Sequence, residues 1–308
     1  MRAERMRIAV TGHHGQVVTA LVERAALAGA SVVTLGRPEL DLAEPGDYTQ
    51  VFANARPDVI VSAAAYTAVD KAESEPDLAM LINAGGAEAV ARAAAALDVP
   101  VIHLSTDYVF DGSKPTPWVE SDPTNPLGVY GATKLVGEQA LLAAARRAVV
   151  LRVAWVYAPF GTNFLRTMLR LAETRNTVRV VADQLGAPTS ALDLANGILK
   201  VAQNLVARPE DAAQLGVFHM GPAGDASWAD FAEAIFAGYV ARGGSRMMVD
   251  RITSADYPTP ALRPANSRLD SSRIARVHGV ALPHWRESLE PVLDRLIRPS
   301  SAEALPSA

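Results

Sequence analysis

Short apolar runs alternate with segments of helical spacing along the first half of this chain, and that rhythm excludes most architectures. Arg7 to Thr11, Ser31 to Leu35, Asp58 to Val61, Val99 to Leu104 and Ala148 to Val153 have the length and flanks of buried strands. Between them, Gln16 to Ala28, Gly46 to Ala55, Ala84 to Leu97 and Gly131 to Arg147 read as helices; in the first, Val17, Val18, Leu21, Val22 and Ala25 share one face. Strands joined through crossover helices pair in parallel, with helices on both faces of the sheet. The expected fold is therefore a doubly wound α/β sheet, whose ligands bind outside the carboxyl ends of the strands.

The second half is less regular. Asn163 to Thr174 and Leu192 to Val206 read as helices, and Val178 to Ala182 and Gly216 to Met220 as strands. Ser227 has the character of an N-cap, because Trp228, Phe231, Ile235 and Phe236 follow at helical spacing. Pro258, Pro260 and Pro264 then favour loops. No internal repeat or linker separates the halves, so the chain is expected to cross between two domains more than once. A Rossmann-like cofactor domain is assigned to 1–156 plus 190–224, and a smaller, C-terminal substrate domain to 157–189 plus 225–300. Residues 301–308, which end an aperiodic tail, are expected to be disordered.

Composition narrows the function classes. A chain of 308 residues, 49% apolar and 20% charged, is a soluble globular protein with a large core. Its net charge of −4 gives no basic footprint for nucleic acid. Zero cysteines exclude disulfides, thiol catalysis and thiolate metal sites. The apolar stretch after the charged N-terminus, Ile8 to Val10, is too short for a signal peptide, and no run approaches the ~20 residues of a membrane span. The expectation is a cytoplasmic monomer or homodimer that handles a small molecule, away from membranes and nucleic acids.

Gly12-His13-His14-Gly15-Gln16-Val17-Val18 follows the first strand and opens the first helix. Gly12 and Gly15 allow a tight turn and close backbone approach, and the helix N-terminus offers free N–H groups to a pyrophosphate. Val18 stands where a third glycine is usual. His13 and His14 have no carboxylate or further histidine at ligand spacing, so no metal is expected. At the end of the second strand Arg37 is placed to take a ribose 2′-phosphate, and no acid stands there to hold a free 2′-hydroxyl; this favours NADP(H), with NAD(H) as second choice. Asp41 and Leu42 lie further along, towards the adenine, and Ala65, Tyr66 and Thr67 follow the third strand.

Thr106, Asp107, Tyr130 and Lys134 form the candidate reaction centre. Tyr130 and Lys134 are four apart at the start of a helix and so lie on one face. Lysine is scarce here (Lys71, Lys114, Lys134, Lys200), and no other tyrosine has one four residues on. A free phenol, with a pKa of ~10, is a poor proton carrier at neutral pH, and a nearby cation improves it. Thr106, at a strand end, supplies a hydroxyl for the same reacting oxygen.

Together these stretches resemble the extended short-chain dehydrogenase/reductase superfamily and, within it, the dTDP-4-dehydrorhamnose reductase family. The matching residues include Gly12-x-x-Gly15-Gln16-Val17, Ala68-Val69-Asp70-Lys71-Ala72-Glu73, Ser105-Thr106-Asp107-Tyr108-Val109-Phe110, Tyr130-Gly131-x-x-Lys134, Trp155-Val156-Tyr157, Asp183-Gln184-x-Gly186 and Arg263-Pro264-x-Asn266-Ser267-Arg268-Leu269. Val18 is the main departure. The resemblance implies NAD(P)H-dependent reduction of the C4 ketone of dTDP-4-dehydro-β-L-rhamnose to dTDP-β-L-rhamnose, the last step of dTDP-L-rhamnose biosynthesis. It implies Tyr130 as proton donor, Lys134 on the nicotinamide ribose and lowering the Tyr130 pKa, and Thr106 on the reacting oxygen. Asp107 and Trp155 would contact the sugar nucleotide. Gly15, Gln16, Val17, Asp41, Leu42, Ala65, Tyr66 and Thr67 would line the cofactor beside Tyr130 and Lys134. Two rivals are a non-catalytic NADP-binding regulatory subunit of a methionine adenosyltransferase, and a reductase or epimerase of another nucleotide sugar. Dehydratases of the superfamily carry Asp-Glu after the Thr, whereas here Asp107 precedes Tyr108.

Overall fold

A computed structural model describes residues 5–297. Strands β1 (Met6–Thr11), β2 (Ala30–Leu35), β3 (Val59–Ser62), β4 (Val101–Thr106) and β5 (Ala148–Val153) join the strand Gly216–His219 in one six-stranded sheet. The spatial order is β2-β1-β3-β4-β5 and then 216–219, with every pairing parallel. The expected doubly wound α/β sheet is thus observed. The chain steps outward from β1 to β2, then returns to build the rest of the sheet on the other side of β1. The crevice of such a sheet opens between β1 and β3, where the order reverses. Thr11 ties that seam: its buried Oγ1 accepts hydrogen bonds from the backbone N–H groups of Ala63 and Ala64, both at 2.9 Å.

Both faces of the sheet are apolar, which is why its strands read as unbroken hydrophobic runs. Ile8, Val10, Val59, Val61, Val149 and Leu151 point into one core, shared with helix α1 (Gln16–Ala25) and the helix Ala191–Ala207. Ala9, Ile60, Val101 and Val150 alternate with them into a second core, against the helices Gly86–Ala96 and Val129–Ala144. Val18, at the position of the absent glycine, is 4% exposed and packs in the first core beneath the turn, its Cγ2 near both Gly12 and Gly15.

The first core continues into the second half of the chain, through Phe231, Ile235 and Trp285. There the strands Thr177–Val181 and Met248–Ile252 pair in parallel, flanked by the helices Phe164–Ala172, Trp228–Ala241 and Trp285–Leu296. Ser227 caps its helix as expected, in a reciprocal capping box with Asp230. Met248–Ile252 is largely solvent-facing and so lacks the apolar signature of a strand. The last helix carries Pro291 in its interior, which hides it from a periodicity reading. Before Gly86 the chain is already helical: Pro76–Met80 leads into a π turn at Leu81–Gly85, an extra-residue widening that spacing alone does not reveal. The expected tail at 301–308 lies outside the described residues. Among the described residues no helix is long and apolar enough to cross a membrane.

Candidate active site

Strand β4 reaches two residues beyond the apolar run that announces it, and this places Thr106 at its carboxyl end. The Thr106 hydroxyl accepts from the Tyr108 N–H at 3.1 Å, capping the short turn Asp107–Val109, and donates to Asp107 Oδ1 at 3.0 Å. The helix Val129–Ala144 starts opposite. Its first N–H, on Val129, donates to Glu73 Oε1 at 2.8 Å, so a carboxylate from a distant segment satisfies this helix end. Gly131 permits the approach: a Cβ there would sit 2.1 Å from the Tyr108 carbonyl oxygen. Tyr130 is consequently held in the first turn, edge-on to the Tyr108 ring with centroids 5.7 Å apart.

The electrostatics of this pocket follow from burial. Desolvation pushes the Tyr130 phenol up to about 12, with the Asp107 charge adding to the rise and the Thr106 side chain opposing it. The lowering expected from Lys134 is not seen: burial and Asp107 dominate, and Lys134 is not among the groups that act on the phenol. Desolvation likewise raises Asp107 to about 6, against the lowering influence of Ser267 and Thr106. Asp107 is 3% exposed and its Oδ2 has no hydrogen-bond partner.

Lys134, one turn beyond Tyr130, is 2% exposed and forms no ion pair among the described residues. Its ammonium donates to the Leu104 carbonyl at 2.7 Å and lies 3.1 Å from His103 Nε2. Burial lowers it to about 8, offset in part by Glu138. Glu138 is itself engaged: Arg152 donates to both of its oxygens, through Nε at 2.9 and 3.2 Å and Nη2 at 2.7 Å, and Ser105 Oγ donates to Oε1. His103 and Ser105 alternate with inward apolar residues on β4, and Lys134 and Glu138 are four apart on the helix, so two polar rungs cross the sheet–helix interface.

The cofactor candidates occupy the rest of the carboxyl edge. Gly12 has φ +93°, a conformation that favours glycine, and its N–H donates to Leu35 O at 2.6 Å. Gly15 precedes α1 in extended backbone, with no side-chain cap and no acid in the first turn. Gln16 donates to Val156 O and accepts from Asn163, linking the turn to the second half, while Val17 packs on the first core. Arg37 is exposed after β2, beside Gly36, on which the His13 ring rests. Asp41 caps its own turn through Ala43 N–H, and the Leu42 side chain is buried against Gly86, leaving only its backbone for a ligand. Ala65, Tyr66 and Thr67 follow β3, where Asn83 in the π turn grips Tyr66 by both its N–H (2.8 Å) and its carbonyl (3.2 Å). In the order of the strands, Arg37, the glycine turn, Ala65–Thr67, Thr106 with Tyr130, and Trp155 form a row along one edge of the sheet.

Trp155 follows β5 with φ +49°, a strained conformation for a bulky residue that costs about 1–3 kcal/mol. Its ring stacks on Trp228 with centroids 3.7 Å apart and lies on Gly186. Sequence reasoning missed His103, Asn83 and the Glu138–Arg152 pair. Two of these left a signal: His103 interrupts an apolar strand, and Glu138 repeats the Lys134 position one turn on a helix that must be covered on that face.

The family model described as RmlD substrate binding domain matches residues 6–298. The chain is 50% identical over 283 residues to a dTDP-4-dehydrorhamnose reductase from Sinorhizobium fredii, covering 92% of this chain and 95% of that one. It is 45% identical over 287 residues to one from Burkholderia thailandensis, covering 91% and 96%. Among solved structures, a dTDP-4-dehydrorhamnose reductase from Clostridium acetobutylicum superposes with a TM-score of 0.87 at 35% identity, over 94% of this chain and 99% of that one. Another from Bacillus anthracis, in complex with NADP, gives 0.84 at 33% identity, over 94% and 98%. A model spanning nearly the whole sequence, with relatives this similar, establishes that the chain belongs to the RmlD substrate binding domain family.

Proposed function

We propose that this protein is an NAD(P)H-dependent sugar-nucleotide reductase that converts the C4 ketone of dTDP-4-dehydro-β-L-rhamnose to the alcohol of dTDP-β-L-rhamnose, with NADP(H) preferred and NAD(H) also used. The observation that carries the reading is the convergence of Thr106, Asp107 and Tyr130 at the end of β4, one helical turn from a buried Lys134. The identity of the named relatives and the NADP bound to one of them support the same substrate and cofactor.

A dinucleotide fits the residues present. The α1 N-terminus has neither a side-chain cap nor an acid in its first turn, the condition under which a helix end accepts pyrophosphate. Gly12, Gly15, Gln16 and Val17 would hold the pyrophosphate by backbone, and Arg37 the 2′-phosphate. Asp41, Leu42 and Ala65–Thr67 would line the adenosine and bridging portions, with Lys134 on the nicotinamide ribose. The nicotinamide supplies the hydride when bound.

The chain's own residues then deliver the proton. With its pKa near 12, the Tyr130 phenol stays protonated across the neutral range and holds the proton required. It passes that proton to the C4 oxygen as negative charge develops there, while the Thr106 hydroxyl turns from Asp107 to the same oxygen. Asp107 Oδ2 accepts a sugar hydroxyl, and Trp155 covers an apolar face of the sugar. The reaction is placed in the cytoplasm, in a monomer or homodimer, with no nucleic acid or membrane involved.

Supplying dTDP-4-dehydro-β-L-rhamnose with NADPH, and following the absorbance of the reduced nicotinamide, tests the reading. Consumption that depends on the sugar, faster with NADPH than with NADH, is expected. Folded protein that binds NADPH yet leaves the ketone untouched would instead favour a non-catalytic role.

A further inference from the structure

Lys134 is a buried cation whose nearest carboxylate is taken. Glu138, one turn along, is held on both oxygens by Arg152 and also accepts from Ser105, and no salt bridge reaches Lys134 among the described residues. An ammonium in such a place keeps its charge through neutral acceptors. Two are present, the Leu104 carbonyl and His103 Nε2.

The chemistry of the pair fixes the imidazole. An ammonium has three donors and no acceptor, so His103 Nε2 accepts and its proton resides on Nδ1. Nδ1 lies 3.0 Å from Ser62 Oγ, at the carboxyl end of β3, which accepts it. Ser62, His103 and Lys134 are each 1–2% exposed, so water does not substitute for any member of the line. A charged imidazolium would set two donors against each other at 3.1 Å.

We infer that His103 is a positioning residue for Lys134: the Nδ1–H tautomer, locked by Ser62, presents Nε2 to the ammonium and, with Leu104, fixes two of its three N–H groups, leaving one for the reaction site. The inference rests on the reading of Lys134 as part of the reductase machinery. Burial, then the Lys134 charge, hold His103 well below the usual histidine range, consistent with a neutral ring. The other groups that bear on the pair leave this unchanged. From the helix Val129–Ala144 come Lys134, Glu138 and, at its start, Tyr130; from β5 comes Arg152, neutralised by Glu138; β3 contributes only Ser62. On the helix Gly86–Ala96, Glu88 and Arg92 pair with each other in solvent. The device gives Lys134 an orientation that a lone backbone carbonyl does not impose, since one acceptor leaves the ammonium free to swing about its bond.

The test uses the full chain with its keto-sugar substrate and NADPH. His103→Leu removes the acceptor with similar volume, and kcat is expected to fall on the order of 10²-fold, as for other misplacements near a reacting atom. The alkaline limb of its pH profile should move down by about one unit, because the ammonium loses a hydrogen-bonding partner. His103→Gln keeps both an acceptor and a donor and should restore most of the rate and the limb. A folded His103→Leu variant with unchanged kcat and pH profile overturns the proposal. So does a His103→Gln variant as impaired as His103→Leu. Should His103→Leu fail to fold, 15N-histidine NMR of the unmodified protein decides: a neutral Nδ1–H tautomer is expected from pH 6 to 7, where Lys134 is charged, and an Nε2–H tautomer or an imidazolium in that range overturns it. Lys134→Met separates the two readings, since full activity in that variant refutes the role of Lys134 itself, whatever His103 does.

Discussion

The two ends of the carboxyl edge are built in opposite ways. Beneath Tyr130, side chains that are normally solvated are buried and answer one another: Arg152 with Glu138, Ser105 with Glu138, His103 with Lys134. Among these only Arg152 Nη1 lacks a partner, and that guanidinium lies over the Phe110 ring. At the β1–β2 end, Arg37, His14 and Gly15 are exposed, and His13 makes a single side-chain bond, to Thr34. The contrast suits the tasks proposed for the two ends. Moving a proton between two atoms demands placement to a fraction of an ångström, which a buried network supplies. Holding a phosphate relies on backbone N–H groups and on charge, which work at the surface.

The comparison can be broken by substitution on either side. The largest effect is expected at Arg152→Ala, which strands Glu138 as a buried, unpaired carboxylate and should cost ~3–5 kcal/mol in denaturant unfolding. Arg37→Ala, at the exposed end, should stay within ~0.5 kcal/mol of the parent. Equal losses at the two sites would end the distinction. Gly131→Ala comes next. The clash of its Cβ with the Tyr108 carbonyl pushes the helix away, for ~1–3 kcal/mol of stability and, through Tyr130, on the order of 10² in kcat. Gly15→Ala meets only Val18, at 4.0 Å, in extended backbone, so its melting temperature should hardly move.

Smaller effects sharpen the picture at the cofactor end. Arg37→Ala should weaken NADPH binding roughly tenfold, about the value of one charge-assisted contact, and leave NADH binding unchanged. Equal weakening of both would make Arg37 a surface arginine. The pH profile is the mildest probe. In its proposed role Asp107 accepts a sugar hydroxyl most strongly when ionised, and its pKa is raised to about 6, so kcat/KM should fall as the pH drops through 6. Lys134 is lowered to about 8 and should lose its charge as the pH rises through 8, bringing the rate down again. A profile flat from pH 5 to 9 would remove both groups from the account.

The sequence made the sheet legible because both faces of its strands are apolar, and this leaves unmistakable runs such as Ile8–Val10 and Val149–Leu151. Tyr130 and Lys134 were legible for a different reason, since a helical spacing of four puts them on one face without long-range information, while Thr106 joined them through the family resemblance. The network under them was not. Glu138 and Arg152 carry no mark of pairing in the sequence, and the sheet order, which sets β5 beside β4, makes them partners across a buried layer. Leu42 shows the converse, for a position near the adenine end proved to point its side chain into the core. The π turn at Leu81–Gly85 eluded the reading because one extra residue per turn leaves no mark on composition, yet it brings Asn83 to the backbone of Tyr66.

The central claim is that cofactor binding and proton delivery reside in these two differently built ends, with Tyr130 as the proton donor. The most direct test measures NADPH affinity and turnover of dTDP-4-dehydro-β-L-rhamnose side by side in the parent and in Tyr130→Phe. Loss of the donor should lower kcat by ~10²–10⁴-fold while the dissociation constant for NADPH changes little. A phenylalanine variant that turns over at near-parental rate, or one that loses NADPH affinity in proportion to its activity, would contradict it.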